Sequence, residues 1–350
     1  MIFRQWLEAL KEKLSKSALS RLAVLGIILG IVIGWGWFAM IHMPGESYSG
    51  ILPPLTQQQV ALRDALQRDV EKLAVDIGER NYSYYQKLEA SADFLEASFA
   101  TSGYKVQRQE YKIGKMPFYN IEVEILGRDR PDEIVVVGAH YDSVVGSPGA
   151  NDNGTGAAAV LALARAFAGK QTSRSLRFVE FVNEEPPFFQ TPQMGSVVYA
   201  NRSRDRNEKI VAMLSLETIG YYSDTPGSQL YPAPLNTIYP LTGNFIGFVG
   251  NTASGELVQD VVGSFRRHAK FPAEGAALPE YLTGVGWSDQ WAFWQIGYPG
   301  VMVTDTAVFR YPYYHTQNDT PDKIDFDRTA QVVDGLEKVI ANLVTYTNPL

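Results

Sequence analysis

The run Ile134-Val135-Val136-Val137-Gly138-Ala139-His140-Tyr141-Asp142-Ser143 decides the fold. Four consecutive β-branched residues without polar alternation describe a strand covered on both faces, as central strands of helix-flanked sheets are. The run then stops at an imidazole and a carboxylate. Ligands of open α/β sheets gather beyond the carboxyl ends of strands, so His140 and Asp142 stand where chemistry is expected. Outward from this strand the chain alternates. Helical spacing covers Thr56–Gly78 and Tyr84–Ala100, and strand-like runs cover Tyr104–Tyr111 and Asn120–Leu126. Downstream come helix Gly154–Phe167, strand Leu176–Val182, helix Gly195–Arg204 and strand Ile210–Leu216. Strand Phe245–Val249, helix Ser254–His268, strand Val301–Thr304 and a closing helix Arg328–Tyr346 complete the series. The pattern predicts an α/β fold with a mixed, largely parallel twisted sheet sandwiched by helices. No internal repeat is present.

The other strand ends carry the same residue types. Phe181-Val182 runs into Asn183-Glu184-Glu185, and Leu214-Ser215-Leu216 into Glu217-Thr218. Two loops add more: Gly149-Ala150-Asn151-Asp152-Asn153-Gly154-Thr155-Gly156, just before a helix, and Tyr314-His315-Thr316 after an aromatic-rich turn. Imidazoles and carboxylates converging from separate loops make a poor apolar core but a good site for one or two divalent cations. Strand ends are wet and polar in any protein, so spacing alone leaves a metal site and an ordinary hydrated edge both open.

Composition removes other classes. The 350 residues are 45% hydrophobic and 20% charged, and contain no cysteine, which excludes disulfide scaffolds, thiol catalysis and cysteine-ligated metals. A net charge of −7 and the lack of any basic cluster interleaved with aromatics argue against nucleic acid as a partner. No Gly-x-Gly-x-x-Gly turn opens a helix after a strand, which disfavours a dinucleotide-binding dehydrogenase.

Residues 22–41 hold no charged side chain, enough for a helix to span a hydrocarbon core of about 30 Å. Arg4, Lys11, Lys13, Lys16 and Arg21 precede this segment, and no Lys or Arg follows until Arg63. By the positive-inside rule residues 1–21 form a cytoplasmic basic segment and the bulk of the chain is extracytoplasmic. Trp35 and Trp37 suit the interfacial aromatic belt. A cleaved signal peptide is the rival reading. The apolar run exceeds the usual h-region of about 7–15 residues, however, and no small-x-small cleavage site follows it. Gly26, Gly30 and Gly34 would share one helix face and allow a homodimer, although glycine is common in membrane helices in any case. The turn-rich stretch 42–55 reads as a linker and 56–350 as the outer domain. Residues 1–21 contribute +3 to the net charge, so the remainder carries −10.

In this order and spacing, His140-Tyr141-Asp142-Ser143, the Gly149–Gly156 loop, Asn183-Glu184-Glu185, Glu217, and Tyr314-His315 followed by Asp319-Thr320 resemble the M28 family of zinc metallopeptidases. That family consists mostly of aminopeptidases, with glutaminyl cyclases as a related branch, and the resemblance extends from Thr56 to the C-terminus. It implies a zinc pair bridged by Asp152, one ion held also by His140 and Glu217, the other by Glu185 and His315. It further implies Glu184 as general base, a cis peptide bond after Asp152, and Asp142 as the carboxylate that orients His140. Together with the apolar segment as an anchor in the lipid bilayer, the expected function is a membrane-anchored, zinc-dependent aminopeptidase removing N-terminal residues from peptides outside the cytoplasm. The alternatives are a glutaminyl-cyclase-like transferase with one zinc and a non-catalytic receptor-like domain.

Two positions depart from the family pattern. Glu217 stands where many members have Asp, and Ser288-Asp289-Gln290 stands where Ser-Asp-His is usual, leaving Asp289 as a candidate contact to a ligand residue or to the substrate amine. Trp287, Trp291, Phe293, Trp294, Tyr311, Tyr313 and Tyr314 read equally as pocket walls or as core. His42 and His268 lie outside the converging loops and read as non-functional.

Overall fold

The computed structural model describes residues 16–345, and the chain divides between His42 and Met43 into two units. In the first, helix α1 (Lys16–Met40) contains the stretch Ser20–Met40, whose 21 residues of mean hydropathy 2.3 are long and apolar enough to cross a membrane. A signal sequence meets the same criterion. Leu25, Ile27 and Ile31 stand exposed, as on a helix apolar all round. No atom lies within 4 Å of a Cβ built on Gly26, Gly30 or Gly34. Arg4, Lys11 and Lys13 and the side chains of Lys16 and Trp35 fall outside the described residues, while Trp37 is half exposed.

The second unit opens with α2 (Gln57–Glu71), started by a capping box in which Thr56 and Gln59 each bond the other's backbone N–H. Such a cap stabilises a helix by roughly 1 kcal/mol. After a wider turn over Lys72–Ile77, ended by Gly78 at φ 81°, comes α3 (Tyr85–Thr101). Strands β1 (Gln107–Ile113), β2 (Met116–Ile125) and β3 (Arg130–His140) follow, then α4 (Gly156–Phe167), β4 (Arg174–Phe181), α5 (Gly195–Asp205) and β5 (Lys209–Glu217). The chain continues through β6 (Ile246–Asn251), α6 (Gly255–His268), β7 (Ala273–Leu278), α7 (Gln290–Trp294), β8 (Gly300–Thr304) and α8 (Phe326–Thr345).

The strands form one sheet in the order β1-β2-β4-β3-β5-β8-β6-β7. Pairs β3/β4, β3/β5, β5/β8 and β6/β7 are parallel and the others antiparallel, so the sheet is mixed and largely parallel. The consequence for function is direct: β4, β3, β5 and β8 are adjacent and end at the same edge. On β3, Val135 and Val137 enter the large core beneath α2, α4 and α8, while Ile134 and Val136 enter a second core against α5 and α7. That division explains the absence of polar alternation, and each buried valine contributes ~1.5–3 kcal/mol.

Strand β7 was not legible: Ala273-Glu274-Gly275-Ala276-Ala277-Leu278 lacks the β-branched residues that mark strands, and it is held in the sheet by pairing with β6. The segment just after His42 is tied to this edge. Arg266 donates to the carbonyls of Met43 (3.3 Å) and Gly45 (2.9 Å), and Ser47 Oγ accepts from Ala273 N at 2.9 Å.

Candidate metal centre and active site

His140 is the last residue of β3 and Glu217 the last of β5, while Glu184 and Glu185 follow β4 by a few residues. The strand order therefore delivers four of the expected side chains to one edge. The loop Ala150–Thr155 adds Asp152 from above α4, with a cis peptide bond between Asp152 and Asn153. His315 arrives from the segment after β8 in a left-handed conformation, φ 57°. Thr218, next to Glu217, has φ 42° and Asn183, next to Glu184, has φ 60°. Left-handed backbone is unfavourable for a β-branched residue, by ~1–3 kcal/mol, and persists where surrounding bonds fix it. Here Asn153 Oδ1 takes the Thr218 N–H at 3.0 Å.

The donors form two triads that share Asp152. His140 Nε2 lies 3.2 Å from Glu217 Oε2 and 3.4 Å from Asp152 Oδ1. His315 Nε2 lies 3.0 Å from Asp152 Oδ2 and 3.4 Å from Glu185 Oε2. Within each triad every ligand-type atom is within 4.8 Å of the others. Glu184 belongs to neither, yet its Oε2 comes to 3.8 Å of His140 Nε2. His315 is about one third exposed and the remaining members are buried, so the cluster opens to solvent on the His315 side.

The donor set fits divalent cations. Glu185 Oε1 is buried with no hydrogen-bond donor directed at it, and Asp152 Oδ2 faces only the His315 imidazole at 3.0 Å, an expensive arrangement unless a cation takes their lone pairs. Metal-free electrostatics show the same demand. Burial pushes Glu185 up to about 7, with Asp152 adding to it, and raises Glu217 as well. Burial would depress His140, but Glu184 and Glu217 outweigh it and hold the imidazole well above its usual range. His315 is likewise opposed by burial but drawn up to about 10 by Asp152 and Glu185. Both imidazoles are pulled up by the same carboxylates that a cation would neutralise.

The surrounding bonds fix these side chains. Asp142 does more than the sequence suggested: its Oδ1 and Oδ2 accept the N–H groups of Glu184 and Glu185, both at 3.1 Å, while its backbone carbonyl is 3.2 Å from His140 Nδ1. The carboxylate stands 3.5 Å from that nitrogen, so the imidazole is oriented chiefly by the carbonyl and the two glutamates by the carboxylate. Asp319, which the sequence marks only as part of a motif, accepts from Asn151 N (2.8 Å), Asp152 N (3.1 Å) and Tyr311 Oη (2.7 Å). Ser288 Oγ donates to Glu217 Oε2 at 2.7 Å. Arg80 is wholly buried and donates to the carbonyls of Tyr141 (2.6 Å), Pro148 (2.6 Å) and Gly149 (2.8 Å), joining the loop after His140 to the loop before Asp152. Nothing in its local sequence signals this, because the bonds span more than sixty positions.

Asp289 is not at the cleft surface. It is completely enclosed, with no donor directed at its carboxylate, and burial pushes it up to about 7. Its enclosure leaves no surface for a substrate amine, and His140 and Glu217 lie within its electrostatic reach. Gln290 is buried beside it and donates to Val285 O at 3.1 Å, a packing contact.

The aromatic residues divide. Trp287 and Tyr314 line a cavity of about 110 Å3 that begins at Glu217, and Tyr314 stacks on His315 with centroids 3.9 Å apart. Phe293 packs between Phe181 and Tyr199, Trp294 Nε1 donates to Gly300 O at 3.1 Å, and Tyr311 serves Asp319, so these are core. His42 stacks on Phe38, and His268 sits in the last turn of α6.

A largely parallel α/β sheet whose converging strand ends hold two carboxylate–imidazole triads around one aspartate is the framework of a metal-dependent hydrolase. Residues 120–340 match the family model of Peptidase family M28, and the chain belongs to that family. It is 34% identical over 288 residues to the uncharacterized protein YfbL of Escherichia coli (strain K12), covering 80% of this chain and 88% of that one. In fold it is similar to BSAP, a zinc aminopeptidase from Bacillus subtilis, with a TM-score of 0.67 at 15% identity, covering 82% of this chain and 96% of that one. It is also similar to Fimbriiglobus ruber glutaminyl cyclase, with a TM-score of 0.59 at 22% identity, covering 86% and 99%.

Proposed function

We propose that this chain is a zinc-dependent aminopeptidase that removes N-terminal residues from peptides. The reading is carried by the pair of triads meeting at Asp152 with a free carboxylate, Glu184, beside them. His140, Asp152 and Glu217 would hold one cation and Asp152, Glu185 and His315 the other. Two such ions supply Lewis acidity, lowering the pKa of water towards neutrality and neutralising charge that develops on the scissile carbonyl oxygen.

The chain's own groups do the rest. Burial raises the proton affinity of Glu184, with Glu185 and Glu217 adding to it, which suits a carboxylate that takes a proton from water and hands it to the departing amine nitrogen. The backbone bond from Glu184 to Asp142 fixes where that carboxylate stands. The cavity beginning at Glu217 and Tyr314 receives the side chain of the first residue, its largely apolar lining favouring that side chain over water.

The proposal extends to placement: Ser20–Met40 anchors the chain in a bilayer, with the basic segment cytoplasmic, residues 42–55 as the connection and the domain from residue 56 extracytoplasmic. Two copies would pair through Gly26, Gly30 and Gly34. The test is metal analysis of the purified chain together with an aminoacyl-arylamide panel. Two zinc ions per chain with release of free amino acid support the aminopeptidase. One zinc with ammonia released from N-terminal glutamine makes it a cyclase, and no metal under any condition makes it a non-catalytic domain.

A further inference from the structure

We propose that the cavity beside the metal centre is a subsite for a side chain with an apolar stem and a cationic tip, selected by Glu274, so that peptides beginning with lysine or arginine are the preferred substrates. This rests on the aminopeptidase reading above and names its substrate class.

The sheet register sets the length of the subsite. Glu217 on β5 is directly beside Thr304 on β8, Thr304 beside Gly247 on β6, and Gly247 beside Glu274 on β7. All four residues line the cavity. Three strand spacings of ~4.8 Å separate the two glutamates by roughly 14 Å between Cα atoms. One end of this row is the metal centre, so a residue whose carbonyl lies there sends its side chain along the row towards Glu274. Gly247 keeps the middle of the floor open.

The chemistry changes along the row. Above it, the Tyr231 and Tyr239 hydroxyls are already spent on the carbonyls of Pro240 (2.7 Å) and Gly275 (2.8 Å), so these residues offer the cavity chiefly ring surface. Apart from Glu217, Glu274 is the only charged residue among the described residues lining the cavity. Its neighbour Arg266 does not line the cavity but pairs with Glu274 from behind, Nη2 donating to Oε2 at 3.4 Å. The same guanidinium makes shorter bonds to Ala273 O at 2.8 and 3.1 Å and to Gly45 O at 2.9 Å, so the ion pair is its longest contact of these. Burial raises the Glu274 pKa, with Ser47 and Arg266 opposing it. Lysine and arginine lay an aliphatic stem on apolar surface and carry charge at the tip, which matches both parts of the row. A neutral side chain of equal length would leave the carboxylate desolvated without a full partner, an unfavourable state. The −10 net charge of the chain beyond residue 21 favours encounter with cationic peptides in general.

The experiment compares lysine, arginine and norleucine p-nitroanilides on the zinc-loaded full chain, norleucine being the uncharged analogue of the lysine stem. Lysine and arginine should exceed norleucine in kcat/KM by at least ~10-fold, because a polar group built to pair with a substrate rejects analogues lacking the partner. Glu274→Gln should collapse that ratio towards one, mainly through a higher KM for lysine. Gly247→Val, which fills the floor, should lower kcat/KM for lysine and norleucine relative to alanine p-nitroanilide. Norleucine equal to or better than lysine in the wild type, or a ratio unmoved by Glu274→Gln, overturns the proposal. If no arylamide is cleaved, the aminopeptidase reading has failed rather than this one. Calorimetric binding of lysinamide against norleucinamide then decides the subsite, with equal affinities overturning it. Should Glu274→Gln not fold, the wild-type ratio and Gly247→Val decide between the two outcomes.

Discussion

The β4-β3-β5-β8 part of the sheet and the β6-β7 part are built to different tolerances. At the first, Asp142, Asp319, Asn151, Asn153 and Arg80 tie loops distant in sequence into one cradle, around buried carboxylate oxygens of Glu185 and Asp289 that no donor meets. Over the second, the sheet face is roofed by Pro- and Tyr-rich loop rather than helix, and the cavity contains few polar atoms. Charged ligands must be placed within a few tenths of an ångström to share a cation, whereas an apolar side chain needs only a surface. The difference shows where the chain invests hydrogen bonds and where it leaves room for substrates to vary.

The comparison can be broken most forcefully by removing metal. Chelation should lower stability by about 4 kcal/mol if cations are held near a thousand times their Kd. Differential scanning calorimetry would register this as a drop in Tm. Faster amide exchange should be confined to 138–156, 183–186, 217–220 and 315–320, while β6 and β7 stay protected; uniform exchange would mean that the two parts do not differ. Next in size is Arg80→Met, which strips donors from three buried carbonyls and should destabilise by at least ~3 kcal/mol. Denaturant melts measure that loss, and calorimetric zinc titration should show weaker binding even in the folded fraction. Glu184→Gln should lower kcat by at least ~100-fold while zinc content is unchanged, measured by steady-state kinetics and elemental analysis; near-normal turnover refutes the general-base assignment.

On the cavity side effects should be smaller. Trp287→Ala, at the half-exposed cavity edge, should reduce kcat/KM for long side chains by roughly 10-fold or less, since one pocket contact discriminates by little more. Smallest of all, Asp76→Ala removes an exposed partner of Lys72 at 3.2 Å and should change stability by under ~0.5 kcal/mol in a urea melt.

What the sequence disclosed follows the same divide. The centre of β3 was readable because four β-branched residues in a row have no other use, whereas the candidate metal-binding segments were ambiguous by composition and became legible through their resemblance to the M28 pattern. Strand β7 was hidden by its alanines and glycine, as its place depends on pairing with β6 and packing under α6. Arg80 and the double bond of Asp142 to Glu184 and Glu185 were invisible because their partners are fixed only by the fold. Asp289 read as a candidate contact to a ligand residue or to the substrate amine, and only the packing around α7 shows that it is enclosed. The apolar helix is legible from composition, but composition does not separate an anchor from a signal sequence.

The most direct test is anomalous diffraction at the zinc edge from crystals of the zinc-loaded protein. Two peaks ~3.5–4 Å apart, one contacted by His140 and Glu217, the other by Glu185 and His315, with Asp152 touching both, are the predicted result. A single peak, no peak, or zinc bound away from Asp152 would contradict it.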